Sequence, residues 1–312
     1  FSVLTLRLWS TKESPRNFLL QKYNSGEIGS ASENTTLTDV LYPNDNSDTG
    51  KRIRLKQEFL LVSASLNSII REYEEVYPDY TEFADKVRIQ INDTHPALAV
   101  AELQRILTRD KGLSWDEALE TTKACMGYTN HTVMKEALEE WKEERIRVLL
   151  PRQYFIIDSI NKQMLSEIKT KTGKSDEELK KFSIIDGGQI KMAHLAIYGS
   201  HKVNGVARIH SDILKKAIFK DFYELYPDKF VNVTNGITQR RWLLSANPLL
   251  ANFISKRIGD GWIQDFSQIQ KLRDFAEDSA SLKELLAIKK ENKKRLIEYL
   301  IHDMEARHGI GE

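Results

Sequence analysis

Asp93 and His95 lie two residues apart in Asn92-Asp93-Thr94-His95-Pro96, directly after the apolar, β-branched run 87–91. A carboxylate this close to an imidazole can act as a general acid and base, contribute to a metal site, or anchor sugar hydroxyls. The structural alternative is that Asp93 caps the following helix and His95 fills a turn. His131, in Thr129-Asn130-His131-Thr132, carries the same ambiguity. No metal site is expected: the histidines lack His-Glu-x-x-His spacing, Cys125 is the only cysteine, and no second carboxylate accompanies Asp93. Gly173-Lys174-Ser175 resembles the end of a phosphate-binding loop, but Ile168 stands where its first glycine belongs. There is no Gly-x-Ser-x-Gly elbow for acyl transfer, and Cys125 reads as a strand residue instead of a thiolate at a helix N-terminus.

The elements that position these residues follow one pattern. Four apolar runs, 87–91, 125–128, 201–203 and 230–233, each stop at a cluster drawn from Asn, Asp, His, Thr and Gly. In an open parallel sheet ligands bind beyond the carboxyl ends of the strands, so neutral hydrogen-bonding side chains gathered there fit a polyhydroxylated ligand. The fold class is therefore α/β. After the first run, Thr94 can cap and Pro96 can open a helix reaching about Leu107. The strand-corner-helix pattern recurs from Thr132 into 133–141 and from Gly205 into 206–216. Residues 56–73, 149–168 and 282–307 carry helical apolar spacing, the last dense in Lys and Glu. Residues 169–181 read as a charged, mobile connection, 43–46 as a loop, Gly187-Gly188 as a turn, and 1–9 as a strand without an initiator Met, as in an internal fragment.

With 312 residues, 41% hydrophobic and 29% charged, the chain can bury one large core or two smaller ones. Lys plus Arg total 46 against 45 Asp plus Glu, which argues against nucleic acid as a partner. No apolar run approaches a membrane span and no signal peptide opens the chain, so a cytoplasmic protein is expected. Asn-x-Ser/Thr matches begin at Asn34, Asn92, Asn130 and Asn232, but a glycan on the last three would block the strand ends.

The ordered combination is more specific. Leu6-Arg-Leu-Trp9, Val40-Leu-Tyr-Pro-Asn-Asp-Asn46, Arg54-Leu-Lys-Gln-Glu58, Ile91-Asn-Asp-Thr-His-Pro-Ala-Leu-Ala99, Tyr128-Thr-Asn-His-Thr132, Glu136-Ala-Leu-Glu139, Leu149-Leu-Pro-Arg152, Met192-Ala-His-Leu195, Val203-Asn-Gly-Val-Ala207, Ile209-His-Ser211 and Thr234-Asn-Gly-Ile-Thr238 resemble, across essentially the whole chain, the α-glucan phosphorylases that act on glycogen, starch or maltodextrin. The resemblance implies a two-Rossmann glycosyltransferase (GT-B) architecture, with residues 1–232 as the latter part of the N-terminal glucose-binding domain and 233–312 as the start of the C-terminal cofactor domain. It implies transfer of a terminal glucosyl unit of an α-1,4-glucan to inorganic phosphate, giving glucose 1-phosphate, by a homodimer that carries pyridoxal phosphate.

Position by position, the resemblance makes Asn46 a glucose contact on a gating loop shaped by Asp45 and Asn44. His131 contacts the glucosyl unit and offers its main-chain carbonyl to the developing cation, and Asn235 holds the 6-hydroxyl. Asp93, His95, Thr132 and Ala137 line the pocket, and Trp242 stands near the cofactor. The family's cofactor lysine, phosphate-binding Lys-Arg segment and Gly-rich loop have no counterpart here, so the 312 residues alone are expected to be inactive and to hold no cofactor covalently. Departures occur at Ser47, where many members carry an aromatic residue, at the turn 183–191, whose acidic pair is reduced to Asp186 beside Gly187, at Gln239 in place of a proline, and at Arg71-Glu72 in place of the arginine pair that grips AMP in the muscle form. Two other readings stand beside this one: a sugar-nucleotide glycosyltransferase of the same fold, and a non-catalytic carbohydrate-binding domain.

Overall fold

A computed structural model describes residues 5–11, 37–38, 40–134 and 138–308, and the chain divides into two compact units, Phe1–Thr234 and Asn235–Glu312. The first is mixed α/β. Its long helix α1 (Asp48–Glu74) starts where the Ser47 hydroxyl accepts from the Gly50 N–H at 3.0 Å. After the short α2 (Phe83–Lys86) come β1 (Ile89–Asn92), α3 (Leu98–Arg105) with a π turn over Ile106–Asp110, α4 (Trp115–Cys125) and β2 (Met126–Asn130). Then follow β3 (Glu140–Lys142), α5 (Glu143–Leu149), α6 (Pro151–Thr172), α7 (Asp176–Leu179), β4 (Ile185–Asp186), β5 (Gln189–Lys191), α8 (Met192–Tyr198), β6 (Lys202–Gly205), α9 (Arg208–Ile213), α10 (Lys220–Leu225) and β7 (Phe230–Asn232).

All four apolar runs become strands of one parallel sheet in the order β1-β2-β6-β7. Register explains the polar mouth. Ile91, Tyr128, Val203 and Phe230 form one cross-strand row and are buried. The next row is Asn92, Thr129, Asn204 and Val231, and the last is Asn130, Gly205 and Asn232. The sheet therefore changes from apolar to hydrogen-bonding within one residue of strand rise, about 3.3 Å. Beneath the corner, α3 is buried from Leu98 to Gln104. Its one carboxylate there, Glu102, is satisfied by Arg105 Nε at 3.0 Å, Gln153 Nε2 at 2.7 Å and Ser63 Oγ at 3.2 Å, which ties α3 to α6 and α1.

Local sequence signals set several boundaries. Ser114 and Glu117 form a capping box at α4, Pro151 opens α6, and Gly173 (φ 68°) ends it in the left-handed conformation. Other expectations need correction. Residues 169–181 are not a structureless connection: α6 runs on to Thr172, and Ser175 with Glu178 builds a second capping box for α7. Cys125 ends α4 and the strand begins one residue later, because the apolar run was shared by a buried helix end and a strand start. Among the described residues of 133–141 there is no helix; residues 131–134 are irregular and 140–142 form β3, whose Trp141 pairs with Ile190 in the antiparallel sheet β3-β5-β4. Tertiary pairing there overrides helical spacing. Of the strand expected over 1–9, the described residues 5–9 are irregular.

The second unit is helical, with α11 (Pro248–Ile258) and α12 (Ser279–His308) joined by 3₁₀ turns. Ala251, Phe253, Ile254 and Trp262 form its core, and Arg257 links α11 to α12 through Ser281 Oγ at 2.7 Å and Glu284 at 2.9 Å. No helix among the described residues is long and apolar enough to cross a membrane.

Candidate active site

The corner after β1 is fixed by an unusual backbone. Asp93 has φ 65°, a left-handed conformation that Asp tolerates better than most residues, and its N–H donates to Thr129 O at 2.8 Å. The Asp93 side chain does not cap α3, whose N-cap position is Ala97. Asp93 Oδ1 accepts from the Thr94 N–H at 2.7 Å, and Oδ2 accepts from Thr132 Oγ1 at 3.3 Å. The corners of β1 and β2 are thus bonded to each other, and His131 completes the link through Asn92 Oδ1 at 2.6 Å from its Nε2.

Below them sits a buried polar relay. Asn130, fully buried, donates from Nδ2 to the Tyr128 hydroxyl at 3.0 Å, while its Oδ1 accepts from the Thr132 N–H at 3.0 Å and from His210 Nε2 at 3.1 Å. Because His210 Nδ1 accepts from the Val206 N–H at 3.0 Å, the proton sits on Nε2. Burial, with nearby His131, pushes His210 below its ordinary value and keeps it neutral. Gly205, which ends β6, allows this close approach of α9, since a Cβ there would stand 2.3 Å from Ser211 Oγ.

On the other side of the corner, Tyr42 Oη lies 3.0 Å from His95 Nδ1, with the two rings edge to face at 5.5 Å. Arg54 lies over the Tyr42 ring at 5.3 Å and pairs with Asp45. Asp45, Arg54, His95, Glu139 and Trp141 line a cleft of about 590 Å³. That is room for a sugar-sized ligand, bounded by mixed donors and acceptors. Among the described residues no three of His, Cys, Asp and Glu are grouped to hold a metal ion.

The structure therefore joins Asp93 to Thr132 and, through Asn92, His131 to the same corner, while Asp45 and His95 line one cleft. Asn46 is exposed; its N–H donates to Asn44 Oδ1 at 2.8 Å, a side-chain turn that shapes 44–46 without bonding the corner. Asn235 and Trp242, both exposed, belong to the second unit, and Ala137 lies outside the described residues. Residue-level reading of the sequence missed Tyr42, Arg54, Glu58, Glu139, Asn130 and His210 as parts of the site. Only Arg54 and Glu58 carried a local signal, an i,i+4 opposite-charge pair on α1.

Comparison with known proteins bears on this geometry. The carbohydrate phosphorylase family profile matches residues 1–308. The chain is 46% identical over 313 aligned residues to muscle glycogen phosphorylase of Oryctolagus cuniculus and equally to that of Homo sapiens, covering 96% of this chain and 37% of each relative. It is 47% identical over 307 residues to the brain form of Rattus norvegicus, covering 94% of this chain and 36% of the relative. The chain thus spans little more than a third of the length of these relatives. A profile match over nearly all of its residues places it: the chain belongs to the carbohydrate phosphorylase family.

Proposed function

We propose that the protein containing this chain transfers the terminal glucosyl unit of an α-1,4-glucan to inorganic phosphate, forming glucose 1-phosphate, and that residues 44–46 and the corners at 92–95 and 130–132 bind the glucosyl unit. The observation that carries this reading is the interlocked corner of Asn92, Asp93, His131 and Thr132 at the carboxyl ends of parallel strands. Such a corner suits an oxocarbenium-like transition state. Neutral donors and one carboxylate orient hydroxyls, and the main-chain carbonyl of His131 presents a dipole to positive charge without forming a bond to it. Buried Asn130 and His210 keep that carbonyl's segment from reorganising.

The reading extends to a two-Rossmann arrangement, with the first unit as the latter part of an N-terminal glucose-binding domain and the second as the start of a C-terminal domain that brings Asn235 to the 6-hydroxyl and Trp242 near the cofactor. It also extends to a cytoplasmic homodimer. Pyridoxal phosphate, when bound in the whole protein, would supply a phosphate group for proton relay to the substrate phosphate. Lys229 is the described lysine whose amine is pushed down, by burial, to about 8, yet it donates to the carbonyls of Ile197, Tyr198 and Ser200 at 3.0, 3.2 and 2.7 Å and has no site left for a Schiff base.

The test is the full-length protein supplied with maltoheptaose and phosphate. Release of glucose 1-phosphate is expected, and His131→Ala should lower kcat on the order of a hundredfold or more. Glucosyl transfer from a sugar nucleotide without phosphorolysis would instead favour the glycosyltransferase reading.

A further inference from the structure

The charges around Arg54 do not balance. Its guanidinium, rising from α1, pairs with Asp45, and its Nη2 also lies 3.7 Å from Glu58 Oε1 and 3.7 Å from Glu139 Oε1. Two carboxyl groups that share one nitrogen neighbour face each other, and both side chains are almost withdrawn from water, 10% and 11% exposed. Glu58 Oε2 and both Glu139 oxygens have no hydrogen-bond donor. Three ionised carboxylates on a single guanidinium would leave uncompensated charge in a poorly solvated site. A proton between the two glutamates removes one charge and converts two acceptors into a donor and an acceptor. Burial first, and the facing Glu139 second, push Glu58 well above the usual carboxylate range; burial also raises Glu139. The remaining groups that face the pair are Tyr42 and Asp45 from the segment before α1, Asp93 and His95 from the β1 corner, Tyr128 from β2, and Trp141 from β3.

We propose that Glu58 and Glu139 are positioning residues that hold one proton between them, so that Arg54 stays committed to Asp45 and fixes Asn44, Asp45 and Asn46 beside the corner. Glu139 is itself anchored, its carbonyl accepting from the Met192 N–H at 3.2 Å, so the pair refers the 44–46 segment to the rigid β3-β5 sheet. Losing the proton would turn the pair into a dianion that draws Arg54 away from Asp45. The sugar-binding consequence rests on the phosphorylase reading; the positioning itself does not.

Hydrogen–deuterium exchange on the full-length, ligand-free protein reads the segment directly. At about pH 7, wild type and Glu58→Gln, which keeps a donor and removes the charge, should exchange residues 40–50 alike, whereas Glu58→Ala should exchange them on the order of fivefold faster. Toward about pH 9.5, wild type should accelerate relative to Glu58→Gln measured at the same pH, because only wild type has a proton to lose there. Where phosphorolysis is present, Glu58→Ala should raise the KM for glucan with kcat little changed, and Glu58→Gln should restore it. Equal exchange in wild type and Glu58→Gln across the whole pH range would overturn the proposal, as would a Glu58→Gln segment as fast as that of Glu58→Ala. Absence of phosphorolysis with the exchange pattern intact would count against the enzyme assignment alone.

Discussion

His210 and Asn130 tie the start of α9 to the end of β2, with His210 Nε2 donating to Asn130 Oδ1 at 3.1 Å and both side chains buried. The bond holds the residue directly before His131, so a histidine 79 positions further along the chain sets where the corner stands. Replacing His210 by Ala removes one of the two donors to Asn130 Oδ1 and orphans the Val206 N–H. We expect a loss of about 2–3 kcal/mol in urea unfolding, and in the full-length enzyme a larger loss in kcat/KM than His210→Gln, which can still donate. Equal losses for the two variants would show that volume, not the hydrogen bond, matters.

His194 predicts acid sensitivity. It is half-buried in α8, its Nδ1 lies 3.0 Å from Ser183 O and 3.2 Å from Phe182 O, and desolvation by the packed surroundings pushes it down to about 4. The unfolded chain binds this proton near pH 6.5 and the folded chain only near 4, so stability is full above 6.5 and falls as pH drops toward 4. The loss is on the order of 2–3 kcal/mol across that window. Urea titrations at several pH values should show the slope, and His194→Gln should flatten it.

Much of this arrangement was legible in the sequence, for a physical reason. The buried positions of a strand must be apolar until it leaves the sheet, so the four apolar-to-polar breaks, after residues 91, 128, 203 and 233, fell within one or two residues of the strand ends Asn92, Asn130, Gly205 and Asn232. The joining of the Asn92-Asp93 corner to His131-Thr132 followed from parallel topology. What was hidden depends on contacts between segments far apart in sequence. Residues 133–141 read as helical, but Trp141 is claimed by Ile190 about fifty residues later. The Arg54 cluster was invisible because it joins Asp45, Glu58 and Glu139, and nothing local says that a carboxylate 81 positions beyond Arg54's own helix partner will share its guanidinium.

Asp93 offers a backbone test. With φ 65° and both carboxylate oxygens engaged, Asp93→Ala should lose the left-handed tolerance and two hydrogen bonds, costing about 2–3 kcal/mol. Asp93→Asn keeps an acceptor and the conformational tolerance and should cost under about 1 kcal/mol. Chemical denaturation of the two variants side by side decides it, and equal destabilisation would mean that the negative charge, not the geometry, is what the corner requires.

Gly50 governs the segment that carries Asp45 and Asn46. A Cβ there would stand 1.8 Å from the Asn44 carbonyl oxygen, a backbone atom that cannot rotate away. Gly50→Ala should therefore displace residues 44–46. The full-length enzyme should lose roughly tenfold or more in kcat/KM for glucan, with the exchange rates of β1 and β2 unaltered. Loss of protection throughout the sheet would show instead that the substitution unfolds α1.

Glu72 bears on effector response. The resemblance to the α-glucan phosphorylases implies an arginine pair that grips the phosphate of AMP in the muscle form; here the pair is Arg71-Glu72, and Glu72 is engaged by Arg7 while Ser68 Oγ donates to it at 3.4 Å. The pairing with Arg7 has two consequences for a phosphate arriving at this face. Glu72 offers it a like charge, and Arg7 is already occupied by a carboxylate, so an attraction is replaced by a repulsion and a second cation is partly neutralised. Both side chains are nearly half exposed, so the ion pair itself adds little to stability, and removing it should not harm the fold. The full-length protein assayed at subsaturating phosphate should show no more than a marginal change in rate with AMP. Glu72→Arg restores the twin guanidinium fork and frees Arg7, and should begin to create sensitivity where the rest of the effector pocket is present. A several-fold activation of the wild-type protein by AMP would show that Arg71 with other cations suffices, and would remove Glu72 as the determinant.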